Sequence, residues 1–329
     1  MALTPLPWQQ SSWVSMTARV VQGTLAHAFL LKGAEGLGKW HFAKTFANWL
    51  LCESPGTDAG CGRCKNCLLY QADSHPDVLL VAPKEAGKPI KIAQIRALND
   101  FARQTAQQGG QRIILINPAE AMNTSAANAL LKCLEEPGDN TLFLLVSHQA
   151  GNMPATIRSR CQSVMFNLPA HEQVLPWLQA KLSTSDDTTA LLLNVASGSP
   201  LQAVSLAEGN VIELRADLVK ALGSLFRGEL TPVELAKTWQ NDHVLMLLLW
   251  LADWLSDVVK LSLTGDEAWV KNQDVLTLIR YLAKKTNARF VLTLRDELLE
   301  QRHTLASGGN LNVQLLLEGV FCRWLALAL

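Results

Sequence analysis

Apolar residues in the first half of the chain gather into short runs, with polar and apolar positions at helical intervals between them. Residues 28–32, 77–82, 112–116 and 141–146 read as strands, each bounded by Gly, Pro, Asn or Asp. The intervening stretches 39–51, 92–107 and 124–136 place apolar residues at helical spacing among good helix formers, which predicts helices. Strand and helix in alternation imply an α/β fold with a mostly parallel sheet covered on both faces. A last short run, 163–167, offers one more strand.

Beyond Pro169 the alternation stops, and Leu and Ala recur at helical intervals to the end of the chain. Gly198-Ser199-Pro200 and Glu208-Gly209-Asn210 are breaks, with Pro200 suited to a first helical turn. The pattern predicts an α/β domain over 1–166, a small helical domain over 167–208 and an all-helical domain over 209–329. Gly223, Gly228, Gly265 and the pair Gly308-Gly309 are expected to punctuate the helices of the last domain. No internal repeat or low-complexity tract is visible.

Composition narrows the classes further. With 329 residues, 49% hydrophobic and 18% charged, the chain is globular and long enough for more than one core. Basic and acidic residues balance at 29 each, so the chain lacks the electrostatic footprint of a dedicated nucleic-acid binder, and any such contact is expected to be shared with partners. The longest apolar stretch, 244–255, is interrupted by Asp253 and falls short of a membrane span. The opening MALTPLPWQQ has neither a basic nor an apolar leader region, so a cytoplasmic location without membrane contact is expected.

Candidate chemistry begins after the first strand. Gly33-Ala34-Glu35-Gly36-Leu37-Gly38-Lys39-Trp40-His41 matches the phosphate-loop pattern G-x-x-x-x-G-K through Lys39 and then departs from it. Gly33, Gly36 and Gly38 let backbone N–H groups curl around an anion, while Lys39 and the helix beginning near it supply positive charge. Trp40 stands where a Ser or Thr would hold Mg²⁺, and its indole cannot coordinate a metal. At the end of 112–116, Asn117 and Pro118 occupy the positions of the metal-binding Asp and the Glu base, with Glu120 two residues too late. Two losses at the positions that handle metal and water predict a phosphate-loop fold without ATPase activity of its own.

Four of the seven cysteines, Cys52, Cys61, Cys64 and Cys67, crowd into residues 52–67. One ligand at a helix end followed by two overlapping C-x-x-C steps suits tetrahedral Zn²⁺, and four protein ligands leave no open position, so the role is structural. Free or redox thiols are the competing reading, and ligand type alone also admits an iron–sulfur cluster. Cys133, Cys161 and Cys322 read as core residues, as do Trp239, Trp250, Trp254 and Trp324 on Leu-rich helical faces or subunit interfaces. His27 and His75 have no partner that the sequence identifies.

The run Asn123-Thr124-Ser125-Ala126-Ala127-Asn128-Ala129-Leu130-Leu131-Lys132-Cys133-Leu134-Glu135-Glu136-Pro137, followed by Thr156-Ile157-Arg158-Ser159-Arg160-Cys161, resembles bacterial DNA polymerase III clamp-loader subunits. The degraded loop and strand-end acids look like the delta-prime type rather than the ATP-hydrolysing gamma/tau type, and the resemblance runs from about residue 7 to 206. It implies an AAA+ architecture: an ATPase-like domain, a helical lid and a helical collar that holds a ring of subunits. It implies gamma/tau and delta subunits as partners, and the sliding clamp and primed DNA through the complex. In that family the Ser-Arg-Cys arginine reaches ATP bound by the neighbouring subunit, which by position is Arg160; a local salt bridge is the alternative. The lid arginine of active relatives is replaced near Leu201, and the delta-prime type carries a zinc module at the cysteines. Two other functions stay open: a gamma-like ATPase that uses Lys39 with unorthodox metal ligation, and a nucleic-acid-binding zinc ribbon that contacts phosphates through Arg63 and Lys65.

Overall fold

The computed structural model describes residues 3–85, 87–108, 110–240, 243–306 and 311–328. The chain forms two compact units, Met1–Lys181 with Gly198–Gln202, and Leu182–Ser197 with Ala203–Leu329. In the first unit the order is α1 (Gln10–Val21), β1 (Ala28–Lys32), α2 (Lys39–Leu51), α3 (Lys65–Gln71), β2 (Val78–Val81), α4 (Ile92–Ala102), β3 (Arg112–Ile116), α5 (Thr124–Glu135), β4 (Thr141–Ser147), α6 (Ala155–Arg158), β5 (Gln162–Met165) and α7 (His171–Leu182).

The strands lie in the order β2-β3-β4-β1-β5, every pair parallel. Successive side chains of a strand point to opposite faces. Ala28, Leu30, Ile114, Ile116, Phe143 and Leu145 therefore pack against Ile95 and Leu98 of α4 and Leu130 and Leu134 of α5. Their neighbours Phe29, Leu31, Ile113, Leu115, Leu142 and Leu144 pack against Trp13 of α1 and Phe42, Phe46 and Trp49 of α2. Burial on both faces is why the central strands β1, β3 and β4 are apolar at nearly every position, whereas the edge strands β2 and β5 are partly exposed.

Two expected elements are shorter than their patterns. The strand at 77–82 begins only at Val78, because Asp77 is fully buried and its carboxylate accepts the backbone N–H groups of Gln107 at 2.7 Å and Gln108 at 2.9 Å. Those amides are available only outside a helix, so α4 stops at Ala102 rather than near Gln107. Buried Arg112 reinforces the stop by donating to the carbonyls of Phe101 at 2.8 Å and Thr105 at 2.6 Å. A buried carboxylate and a buried guanidinium each need such partners, and here they override helix propensity. The fifth strand starts one residue earlier than the apolar run suggests, and periodicity did not reveal α1 or α3.

The second unit is helical throughout its described residues: α8 (Asp186–Val195), most of α9 (Pro200–Glu208), α10 (Val211–Phe226), α11 (Pro232–Trp239), α12 (Val244–Thr264), α13 (Leu276–Lys285), α14 (Ala288–Ala306) and α15 (Val313–Ala328), with short 3₁₀ turns. Pro200 does open a helix. Gly228 and Gly265 follow helix ends with left-handed backbone, whereas Gly223 lies inside α10 and breaks nothing. Gly308 and Gly309 lie outside the described residues. Among the described residues no single helix is long and apolar enough to cross a membrane.

A buried ion-pair hub organises this unit. Arg215 of α10, 1% exposed, lies 5.3 and 5.2 Å from the ring centres of Trp250 and Trp254. Its guanidinium donates to both carboxylate oxygens of Asp274, at 2.9 and 3.0 Å, and to Asn272 Oδ1. Asp257 of α12 accepts the backbone N–H groups of Lys271 and Asn272 and the Asn272 amide, which fixes the same loop from the other side. Removing one partner of a buried pair strands the other in a low-dielectric interior. Arg215→Ala is therefore expected to destabilise the protein by about 3–5 kcal/mol, read as a lowered urea midpoint. A loss below about 1 kcal/mol would mean that the hub is incidental.

Candidate functional site

Because every strand runs the same way, the chain ends of β1, β3 and β4 open onto one edge of the sheet, where ligands of open α/β folds are held. The loop from Gly33 to Gly38 leaves β1 at that edge and enters α2, whose first residue is Lys39. Gly36 and Gly38 both have φ near +77°, which side chains disfavour, and their surroundings leave no room for one. A Cβ on Gly36 would meet Gln202 at 2.9 Å, and one on Gly38 would meet Leu6 at 2.5 Å and Gln9 at 2.8 Å. A Cβ on Gly33 would collide with the Phe166 carbonyl.

The loop is thus clasped by two segments. Gln9 Nε2 donates to the carbonyls of Leu37 and Gly38, and Trp8 Nε1 donates to Leu37. On the other side Ser199 Oγ donates to the Glu35 carbonyl at 2.7 Å, and Leu201 N–H donates to Gly36 at 3.0 Å. Leu201 engages the loop through its backbone alone. Lys39 is 2% exposed, and its ammonium donates to the carbonyls of Gly33 at 2.6 Å and Ala34 at 2.5 Å. Burial lowers its pKa to about 8, with Glu120 and Glu35 opposing the shift.

Trp40 packs partly buried against the aromatic core, its ring 5.6 Å from the Lys44 ammonium. Asn117 and Ser147, at the ends of β3 and β4, present a buried amide oxygen and a buried hydroxyl. Glu120 lies within electrostatic range of Lys39, which its sequence offset concealed. One of its oxygens, Oε1, is taken by the backbone N–H groups of His148 at 2.7 Å and Gln149 at 3.1 Å. Burial, and after it the charge of Lys39, hold the His148 imidazole below its ordinary range.

The cysteine cluster forms a second centre. Cys52 ends α2, Cys64 caps α3, and Cys67 lies in the first turn of α3. The Sγ atoms of Cys52, Cys61, Cys64 and Cys67 all lie within 4.8 Å of one another, with Cys52 and Cys64 3.9 Å apart. A tetrahedral ion with metal–sulfur bonds of about 2.3 Å requires sulfurs roughly 3.8 Å apart, so the four thiols could hold a metal ion. Backbone N–H groups point at three of the sulfurs: Cys61 to Cys52 at 3.1 Å, Cys64 to Cys61 at 3.3 Å and Cys67 to Cys64 at 3.4 Å. The N–H groups of Arg63 and Cys64 lower the Cys61 thiol to about 6, while burial raises Cys52 and Cys67. Gly60 packs tightly here, since a Cβ on it would meet Cys67 Sγ at 3.1 Å. Asn66 fastens α3 to the end of α2 by donating to the Leu51 carbonyl at 2.9 Å.

Arg160 occupies a third place, on the turn between α6 and β5. Buried Ile157 and Cys161 anchor that turn on either side, and Arg160 N–H donates to the Ile157 carbonyl. The parallel pairing of β5 with β1 sets Gln162 beside Phe29 and Met165 beside Lys32. Arg160 therefore precedes β5 at one edge of the sheet, while the phosphate loop follows β1 at the other. From the level of Gln162 and Phe29 to Gly33 is four residues of strand, so at about 3.3 Å per residue the two ends stand roughly 13 Å apart along the strands. Neighbouring Arg158 is exposed.

The remaining candidates take structural places. Cys133 and Cys161 are buried, but Cys322 is exposed on α15, because its position falls off the apolar stripe of that helix. Trp250, Trp254 and Trp324 are core, and Trp239 is half-buried. The tertiary structure supplies the partners that the sequence could not name: His27 bonds the Leu134 carbonyl, and His75 Nδ1 accepts from Asp77 N–H. Lys65, one of the two cations of the ribbon reading, donates to Gln108 Oε1.

Two family models match the chain: "DNA polymerase III, delta subunit" over residues 8–170, and "DNA polymerase III, delta subunit, C terminal" over residues 210–325. DNA polymerase III subunit delta' of Pseudomonas aeruginosa is 40% identical over 323 residues, covering 98% of this chain and 97% of the relative. The protein of the same name from Haemophilus influenzae is 34% identical and covers 79% of each chain. Among solved structures, a DNA polymerase III gamma subunit-related protein from Thermotoga maritima aligns over 96% of this chain and 100% of its own, with 18% identity and a TM-score of 0.42.

Proposed function

The chain belongs to the DNA polymerase III delta-prime subunit family, and from that membership we propose that it is a clamp-loader subunit that completes a neighbour's ATP site with Arg160 and does not hydrolyse ATP itself. The observation that carries this reading is the placement of Arg160 at the sheet edge opposite the chain's own phosphate loop. From there its guanidinium is remote from the chain's own loop, which supports a role toward a nucleotide held by another subunit. A guanidinium stays charged at any physiological pH and can fork onto phosphate oxygens as negative charge shifts during phosphoryl transfer.

The loop supports a passive role. Gly33, Gly36, Gly38 and Lys39 keep the cradle shape, yet Lys39 is turned onto the carbonyls of its own loop and Trp40 replaces the metal-binding hydroxyl. Asn117 replaces a carboxylate that would hold Mg²⁺. In this reading residues 1–166 are the ATPase-like domain, 167–208 the lid and 209–329 the collar. The partners are gamma/tau and delta subunits in the cytoplasm, with the sliding clamp and primed DNA engaged through the complex. Zn²⁺ is the ion proposed for Cys52, Cys61, Cys64 and Cys67. It would cross-link the loop between α2 and α3 and supply no chemistry to the reaction.

Reconstitution tests the proposal. Mixed with purified gamma/tau and delta subunits, the chain is expected to enter one complex on size exclusion and to be required for ATP-dependent loading of the clamp on primed DNA. Hydrolysis of ATP by the chain alone, or loading that proceeds equally without it, would overturn the reading.

A further inference from the structure

The guanidinium of Arg160 is already held on one side. Its Nε donates to Glu135 Oε1 at 2.7 Å, its Nη2 pairs with the same carboxylate, and its Nη1 donates to the Thr156 carbonyl at 2.9 Å. Glu135 sits at the last position of α5, and Thr156 lies in α6. The two tethers thus come from separate elements that both pack on the sheet through buried side chains, Leu134 and Ile157. A guanidinium has five N–H donors. With the Nε and Nη2 edge given to Glu135 and one Nη1 hydrogen to Thr156, the remaining hydrogens, one on each terminal nitrogen, are available to a phosphate.

We infer that Glu135 is a positioning residue for Arg160: it fixes the inner edge of the guanidinium so that the terminal nitrogens face outward toward a neighbour's nucleotide. The inference rests on the trans role proposed for Arg160. The physical gain is in entropy, because an arginine fixed before the subunits meet does not have to be immobilised in the transition state. The pair is a poor device for stability, since the arginine and glutamate side chains are 35% and 49% exposed and water screens such pairs. A variant at Glu135 therefore keeps its fold, and function is the informative readout.

In the reconstituted complex, Glu135→Ala is expected to lower kcat for hydrolysis at the neighbouring site by about tenfold, the rate equivalent of ordering one long side chain. KM for ATP and assembly of the complex should not change. Glu135→Gln, whose amide oxygen still accepts one N–H, should recover part of the rate. The double variant Glu135→Ala with Arg160→Ala should be no slower than Arg160→Ala alone, because a positioning residue has nothing left to position. A native or raised rate for Glu135→Ala, or a double variant clearly slower than Arg160→Ala, would overturn the positioning role. Unchanged hydrolysis in Arg160→Ala alone would instead remove the trans reading beneath it.

Discussion

Arg160→Ala is expected to leave the complex assembled while ATP hydrolysis at the adjoining site falls by about 10³-fold or more, the range spanned by arginines supplied in trans in other phosphoryl-transfer systems. The size of the effect comes from where the charge sits. A guanidinium brought to a water-poor subunit junction stabilises charge that develops on the phosphate oxygens, and it needs no proton transfer to do so. Loss of the exposed pair with Glu135 should cost the isolated chain no more than about 1 kcal/mol, so a native melting temperature beside the lost activity separates chemistry from folding. Arg160→Lys should restore little, because an ammonium is a point charge that cannot hold Glu135 and a phosphate on two edges at once. The measurement is phosphate release with clamp and primed DNA, with the partner's other sites silenced. A rate within twofold of the native complex would end the trans-arginine proposal.

Cys64→Ser should have the second large effect, on structure rather than rate. Cys64 combines two roles, since its sulfur belongs to the four-thiol cluster and also accepts the Cys67 N–H that caps α3. Structural zinc in small modules contributes about 10–16 kcal/mol of apparent binding energy near neutral pH, far more than the few hydrogen bonds of this segment can supply. Protein purified without chelator should contain one zinc per native chain and close to none in the variant. Loss of the ion should expose the 52–67 segment to protease, while a complex that still forms should retain most of its hydrolysis. Equal metal content in the two proteins, or none in either, would reject the zinc module.

The four cysteines could be read from spacing alone because their separation in sequence is short, and short loops leave few ways for the sulfurs to lie apart. The phosphate loop was legible for the same reason: Gly33, Gly36, Gly38 and Lys39 fall within seven residues between a strand and a helix. Glu120 falls two residues too late in the sequence for the strand-end position, yet the turn after β3 carries it back to the amides of His148 and Gln149. Nothing in the spacing of the Leu-Glu-Glu-Pro run tells that Glu135 meets an arginine 25 residues further on. The helical pattern over 92–107 runs past the end of α4 because that end is set by a buried carboxylate, Asp77, outside the helix.

The sequence by itself determined the α/β class, the central strands buried on both faces, the helical second half, the four-thiol cluster and the erosion of the phosphate loop. Each of these rests on residues close together in the chain, where local geometry limits the outcome. Tertiary structure alone decided where Lys39 points, what Glu120 binds, that Cys322 is exposed and that Arg160 lies at the opposite end of the strands from its own loop with Glu135 at its side. These are meetings between segments far apart in sequence. Strand order and the burial of charge select them, and no periodicity records them.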